Sequence, residues 1–169
     1  MSHRTVRALA WPGYFFAFLL IVFPVGDLVV NVWPPRIGEL QWRYGTLGLL
    51  SGFWLTPLFG VAFLVACAAA LEHRGMFRLL SILSIAVAVL LAALLVLFIL
   101  DWLQVRTTFP PEGRGFMDVG SLKAIAKHVL VTLLFAWVGV ASLRASWGKS
   151  GEHRGRSIPP LVREASPKV

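Results

Sequence analysis

The sequence predicts an all-α polytopic membrane protein, a four-transmembrane-helix bundle that runs up, down, up and down with both termini in the cytoplasm. Three observations predict this class: long apolar segments, an uneven distribution of basic residues, and tryptophans near the segment ends. Of the 169 residues, 57% are hydrophobic and only 14% are charged, whereas soluble domains have about 25% charged residues. The composition therefore predicts that lipid, rather than water, surrounds most of the chain.

Four apolar segments are each long enough to cross a bilayer as a helix, since a hydrocarbon core of about 30 Å requires about 20 such residues. They cover residues 9–32, 45–71, 77–100 and 122–143. We expect them to form one transmembrane domain at 1–145. Residues 146–169 are rich in basic residues, glycine, serine and proline, so we expect a flexible cytoplasmic tail.

The first segment follows two arginines, in the manner of a signal peptide, but continues to Val32 without a small-residue cleavage site. We therefore expect it to remain as a membrane span. The first and second segments contain Pro24 and Pro57. Each proline removes a backbone donor, frees the carbonyl four residues earlier, at Leu20 and Phe53, and predicts a kink. Short connections at 33–44 and 72–76 predict that consecutive helices pack side by side in antiparallel orientation.

The connection between the third and fourth segments, at 101–120, is the longest. Its centre at 109–115 contains two prolines and two glycines, so we expect an irregular surface loop. Asp118 or Ser121 could then cap the fourth helix, because their side-chain oxygens accept hydrogen bonds from free backbone N–H groups.

The net charge of +8 is distributed unevenly between the two sides of the predicted bundle. Ten Lys and Arg residues lie on the side that carries both termini and six lie on the other, so the positive-inside rule predicts cytoplasmic termini. Five of the seven tryptophans fall at the ends of the segments, where aromatic belts form. We expect a multi-pass protein of a bacterial inner membrane, whose basic tail contacts anionic lipid headgroups, and no nucleic-acid partner.

Small residues recur at intervals of three or four residues on three segments and predict helix-packing faces, because close backbone approach drives helix association in lipid. They are Gly48, Gly52, Thr56 and Gly60 on the second segment, Ser81, Ser84, Ala88 and Ala92 on the third, and Thr132, Ala136 and Gly139 on the fourth. The pattern leaves open whether these faces meet within one chain or between chains.

Polar residues near the outer ends of the segments predict an interhelical cluster, because unpaired polar groups are costly in lipid. The cluster comprises Asp27, Asn31, Arg43, Asp101, Arg106 and Lys127. Asp27 lies at the depth of Lys127 and His128, so we expect it to contact one of them. Pairing that sets the helix register and an ion or proton pathway are both open interpretations.

His128 is the candidate for cofactor binding, since one histidine at membrane depth can ligate the magnesium of a chlorophyll-type pigment or a haem iron. The other histidines lie at different levels, so this chain alone does not supply a bis-histidine haem site. We expect no resident cofactor and no metal site. The lone Cys67 forms no internal disulfide.

No motif in the sequence identifies a catalytic residue, a phosphate-binding loop or a metal-spaced cluster, so we do not expect an enzyme. We expect an accessory or scaffolding subunit whose partners are other membrane protein subunits, for example in a photosynthetic or respiratory complex. Two alternatives stay open. One is a small transporter or channel that uses Asp27 and His128, and the other is a pigment- or haem-associated subunit.

Overall fold

A computed structural model describes residues 3–148 of the chain, and the side chains of residues 11–147. It contains five helices: α1 (His3–Val32), α2 (Leu40–Phe53), α3 (Leu55–Ala70), α4 (Arg74–Thr108) and α5 (Pro111–Gly148). Residues 3–148 include no strand, and the predicted all-α class is confirmed. Helix α5 includes the first three residues of the predicted tail, and residues 149–169 lie outside the described residues.

Three helices are individually long and apolar enough to cross a membrane. They are Trp11–Val32 within α1, Arg74–Thr108 and Pro111–Trp147. Helices α2 and α3 meet the same criterion together, as a pair bent by 42°. The described chain thus has three candidate membrane spans, or four if the bent pair is one span. The prediction of helices that are long and apolar enough to span a membrane is confirmed.

The bend between α2 and α3 is explained by Pro57. A proline has no backbone N–H, so it cannot bond the carbonyl of Phe53, four residues earlier, and its ring crowds that carbonyl. The helix breaks at Trp54, and regular bonding resumes with the amide of Leu58, which donates to the carbonyl of Trp54 at 3.0 Å. By contrast, Pro24 lies inside the continuous helix α1.

The bent pair α2–α3 occupies the centre of the fold. Helix α1 packs along α3 and touches α2, while α4 and α5 pack on each other and on both halves of the pair. Contacts between α1 and the α4–α5 pair are marginal at most. Helix α1 is therefore a peripheral helix that joins the bundle through the central pair.

Helices α4 and α5 pack along a seam with a seven-residue repeat. On α4 the buried residues include Ser84, Leu91, Phe98 and Val105. On α5 they include Met117, Ser121, Ala124, His128, Val131, Phe135 and Ser142. Spacings of three and four residues are those of an antiparallel coiled coil. The seam therefore makes these two helices one rigid hairpin.

The predicted loop at 101–120 is wrong, because α4 continues to Thr108 and α5 begins at Pro111. Proline is favoured at a first helical position, where its fixed φ suits the helix and its missing N–H has no partner to lose. Asp118 and Ser121 accordingly lie inside α5 and do not cap it. Their side chains bond α4 and α2 instead, and these contacts extend the helical hairpin beyond the apolar segments.

The glycines of the second span serve different neighbours. A Cβ on Gly60 would lie 2.9 Å from the carbonyl oxygen of Ala17 and 2.7 Å from Cγ1 of Ile21 on α1. Gly48 instead faces Phe98 of α4, at an ordinary contact distance of 3.6 Å. Residues four apart drift by about 40° around a helix with 3.6 residues per turn. The four small residues therefore do not share one neighbour: the first, Gly48, faces α4 and the last, Gly60, faces α1.

Other members of the predicted faces point outward. A Cβ on Gly52 would have no neighbouring atom within 4 Å, and Thr56 and Ala92 are exposed. Ser84 and Ala88 are buried in the seam. The closest approach on α5 is at Gly139, where a Cβ would lie 2.7 Å from Cγ1 of Ile85.

Gly60→Ala should lower the thermal stability of the purified protein, because the new methyl group would meet a backbone carbonyl that cannot move freely. Overpacking of this kind costs about 1–3 kcal/mol. Circular dichroism during heating in mild detergent measures the loss. Gly52→Ala is the matched control, since its methyl group enters open space, and it should leave the melting temperature unchanged or slightly raised. Equal melting temperatures for the two variants would contradict this packing.

Candidate functional site

The shortest ion pair among the described residues joins α2 to α4, near the connection between α4 and α5. Arg43 binds Asp101 with two nitrogens, Nη2 to Oδ1 at 2.7 Å and Nε to Oδ2 at 3.2 Å. The Asp101 side chain is 6% exposed and that of Arg43 is 37% exposed. The third nitrogen, Nη1, donates to the carbonyl of Ile37 at 3.3 Å. A paired, two-point contact is the arrangement in which a guanidinium best holds a carboxylate.

A second contact joins α2 to α5 beside this ion pair. The hydroxyls of Tyr44 and Ser121 lie 2.6 Å apart, and Ser121 donates to the carbonyl of Met117 at 2.9 Å. Because the serine proton is used there, Tyr44 donates to Ser121. The Tyr44 ring stacks on Phe98 with centroids 5.4 Å apart and planes 7° from parallel. One tyrosine thus contacts both helices of the hairpin.

Asp118 completes this group by joining α5 to α4. It accepts a hydrogen bond from Nε1 of Trp102 at 3.1 Å and pairs with Nη2 of Arg106 at 3.1 Å. We call the whole group the polar latch. It comprises Arg43, Tyr44, Asp101, Trp102, Arg106, Asp118 and Ser121. Every member bonds across to another helix, so the latch connects three of the described helices at one level.

The latch contains three of the six residues predicted for the outer cluster, namely Arg43, Asp101 and Arg106. Sequence reasoning missed Tyr44 and assigned Trp102 to the aromatic belt. It also assigned Asp118 and Ser121 to a helix cap. For Ser121, the available signal was the seven-residue repeat of α5, which continues through Ser121 and Met117 and places both residues on the seam.

Asp27 and Asn31 lie apart from the latch, on exposed positions of α1. The Asn31 amide donates to the backbone carbonyl of Asp27 at 2.8 Å and to its Oδ1 at 3.2 Å. Lys127 is exposed on α5. The expected contact of Asp27 with Lys127 or His128 does not occur among the described side chains, because α1 packs on α3 and hardly reaches α5.

His128 is buried in the hairpin seam, with 1% of its surface exposed. Neither ring nitrogen has a hydrogen-bond partner among the described residues. Gly139 packs on Ile85 and Asp118 bonds Trp102, so the antiparallel register places His128 opposite residues 92–96, which are all apolar. The register therefore explains why the imidazole has no partner on α4.

The position of His128 also bears on cofactor binding. A pigment or haem ligated by either ring nitrogen of His128 would have to enter the packed seam between α4 and α5, because the imidazole does not reach the surface. The described surface has a shallow apolar groove at the helix break instead. It is lined by Pro24, Val25, Leu28, Phe53, Trp54 and Pro57. Residues 3–148 contain no group of three His, Cys, Asp or Glu side chains that could hold a metal ion.

Comparisons of the chain with protein-family models, with curated proteins and with solved structures found no match.

Tyr44→Phe should lower stability by about 1 kcal/mol, because it deletes one interhelical hydrogen bond and keeps the stacking on Phe98. For a chain of this length the expected fall in melting temperature is about 2–4 °C. The matched control is Tyr14→Phe. The Tyr14 hydroxyl lies 3.4 Å from Nδ1 of His73 in an exposed contact, so its loss should leave the melting temperature unchanged. A Tyr44→Phe protein as stable as the parent would contradict the role of the latch.

His128→Leu should raise stability by about 1 kcal/mol, because it removes two buried polar atoms that lack partners. Ser84→Ala is the control from the same seam. The Ser84 hydroxyl already donates to the carbonyl of Leu80 at 2.7 Å, so its removal should not stabilise the protein. Thermal unfolding in detergent compares the variants. A destabilised His128→Leu protein would contradict the conclusion that the buried imidazole lacks a hydrogen-bond partner.

Proposed function

We propose that the protein is a non-catalytic accessory or scaffolding subunit of a larger membrane complex. One contrast carries this proposal. The polar groups of the latch are used to bond α2, α4 and α5 to one another, whereas Asp27, Asn31 and Lys127 point away from the bundle. Inward polar groups serve the fold, and outward ones at membrane depth are suited to binding a neighbouring chain.

Helix α1 supports the proposal because most of its surface is not covered by the rest of the chain. Its exposed large side chains are Trp11, Phe15, Phe16, Phe18, Val22, Phe23, Val25, Val29 and Val30. Such a broad apolar face suits lipid or another membrane helix. A helix that contributes little to the core of its own chain is well placed to join a neighbouring subunit.

We propose four spans with cytoplasmic termini in a bacterial inner membrane. The contact of Tyr14 with His73 brings the beginning of α1 to the connection between α3 and α4. That connection is followed by Arg74 and Arg78. Basic residues gather on the cytoplasmic side of membrane proteins. The latch then lies at the opposite, outer end.

A small transporter or channel is the second candidate, and the unpartnered imidazole of His128 favours it. Buried ionisable side chains within spans mark proton or ion pathways in many membrane proteins. Asp27 does not extend such a path, because it lies on the outer surface of the peripheral helix. A pigment- or haem-associated subunit is the third candidate. The visible absorption spectrum of the purified protein tests it, since a colourless preparation would exclude both groups.

The main proposal is tested by cross-linking the full-length tagged chain in intact membranes, extracting it gently and identifying co-migrating proteins by mass spectrometry. We expect it to migrate in a complex larger than one chain. A tagged, unrelated four-span protein of similar size is the control for non-specific capture. Co-migration with photosynthetic or respiratory subunits would define the complex. A stable monomer with no cross-linked neighbour would overturn the proposal.

A further inference from the structure

Two outward-facing side chains of opposite charge lie within the candidate spans. Asp27 is exposed on α1, and its described polar partner is Asn31 of the same helix. Lys127 is exposed on α5 and takes part in none of the ion pairs or side-chain hydrogen bonds described for residues 11–147. A charge facing lipid is costly, so each of these residues would be stabilised by a partner of opposite charge.

The two charges lie at one depth. Tyr44 bonds Ser121 and so sets a common level for α2 and α5. Lys127 is six residues, about 9 Å, beyond Ser121 along α5, and Leu50 is the same number of residues beyond Tyr44 along α2. Leu28, the neighbour of Asp27, packs against the buried cluster formed by Leu47, Leu50, Phe98 and Ala124. Asp27 and Lys127 therefore lie within about one helical turn of the same level.

The opposite directions of α1 and α5 would bring a second pair of residues together, Asn31 and Lys123. Pro24 and Leu28 of α1 lie near Pro57 and the Leu47–Leu50 cluster, so α1 is antiparallel to the central pair. Contacts of Tyr44 with Ser121 and of Trp54 with Phe135 show that α5 runs parallel to it. Helices α1 and α5 are thus antiparallel. With Asp27 opposite Lys127, Asn31 would lie opposite the exposed Lys123, four residues nearer the outer end of each helix.

The two residues do not pair within one chain, because α1 has at most marginal contact with α5. Two copies inserted in the same direction keep every residue at the same depth when they are related by a rotation about the membrane normal. A rotation of this kind can bring the exposed face around Asp27 of one copy against the exposed face around Lys127 of the other. Both faces are otherwise apolar, with Val30 and Phe23 beside Asp27 and Leu130 beside Lys127.

We propose that the protein self-associates, with Asp27 and Asn31 of one copy bound to Lys127 and Lys123 of a second copy. This inference rests on the proposed function and deepens it by naming the neighbouring subunit as another copy of this chain. Charge complementarity at matched depth selects a second copy over a lipid headgroup. A lipid headgroup could satisfy Lys127 by snorkelling, but it would leave the Asp27 carboxylate without a cation.

Disulfide trapping between two differently tagged copies tests the contact directly. Both copies carry Cys67→Ala, one carries Asp27→Cys and the other Lys127→Cys. They are co-expressed and oxidised in intact membranes. We expect a disulfide-linked dimer that contains both tags. Val29→Cys with Val129→Cys is the control pair, since these exposed positions lie about 200° around the same helices, and it should give no linked dimer.

Charge reversal tests the energetic role of the pair. Asp27→Lys and Lys127→Asp should each shift the purified full-length protein from oligomer to monomer in native mass spectrometry. The double variant Asp27→Lys with Lys127→Asp should restore the oligomer. Both positions are exposed, so thermal unfolding should show that each variant stays folded. If a charge-reversed variant does not fold, the cysteine pair still decides the question, because it introduces no reversed charge and each copy keeps one of the two native charges.

The outcomes separate this inference from the proposed function. A cross-linked dimer with both tags and a rescued double variant would support self-association. The inference would be overturned if no linked dimer formed and reversal left the oligomeric state unchanged. In that case, a cross-linked partner of different sequence would leave the accessory-subunit proposal standing. A monomer with no neighbour would overturn both.

Discussion

The ion pair between Arg43 and Asp101 is the contact on which the arrangement of the helices depends. In lipid, apolar side chains gain nothing by leaving their surroundings for one another, so register must come from close packing and polar contacts. A seven-residue repeat of buried positions does not by itself specify which register α4 and α5 adopt. The polar latch specifies the register, because Asp101 must meet Arg43 while Asp118 meets Trp102 and Arg106.

Close backbone approach complements the latch at the other end of the fold. Gly60 brings α3 against Ala17 of α1, and Gly139 brings α5 against Ile85 of α4. The bend at Trp54 lets the α2–α3 pair satisfy both requirements, since α2 bonds the hairpin and α3 packs on α1. Pro57 is therefore part of the architecture, because a straight helix would keep both halves on one axis.

The sequence was sufficient to predict the apolar spans and the break before Pro57, because both depend on properties of a few adjacent residues. It was not sufficient for the contacts between spans. Depth along a helix can be counted from residue numbers, and Asp27 does lie near the level of Lys127. Which helix a residue faces depends on how whole helices are placed. The predicted contact of Asp27 with Lys127 or His128 was therefore wrong within one chain, because α1 does not place Asp27 next to α5. The helical extension past Asp101 was missed for a related reason, because its stability comes from interhelical partners of Asp118 rather than from local propensity.

The polar residues that remain without interhelical partners differ in what the membrane demands of them. His128 can stay neutral, so its burial in the seam costs two unmade hydrogen bonds and no charge. Asp27 and Lys127 face the greater demand, since each must lose its charge, reach the interface or meet an opposite charge. Lys127 has a long flexible stem, whereas the short Asp27 side chain lies about one turn and a half below the end of α1. Among the described polar residues, Asp27 is thus the one whose position is hardest to explain by the fold of a single chain. The chain itself contains a suitable cation at the same depth, which is Lys127 of a neighbouring copy.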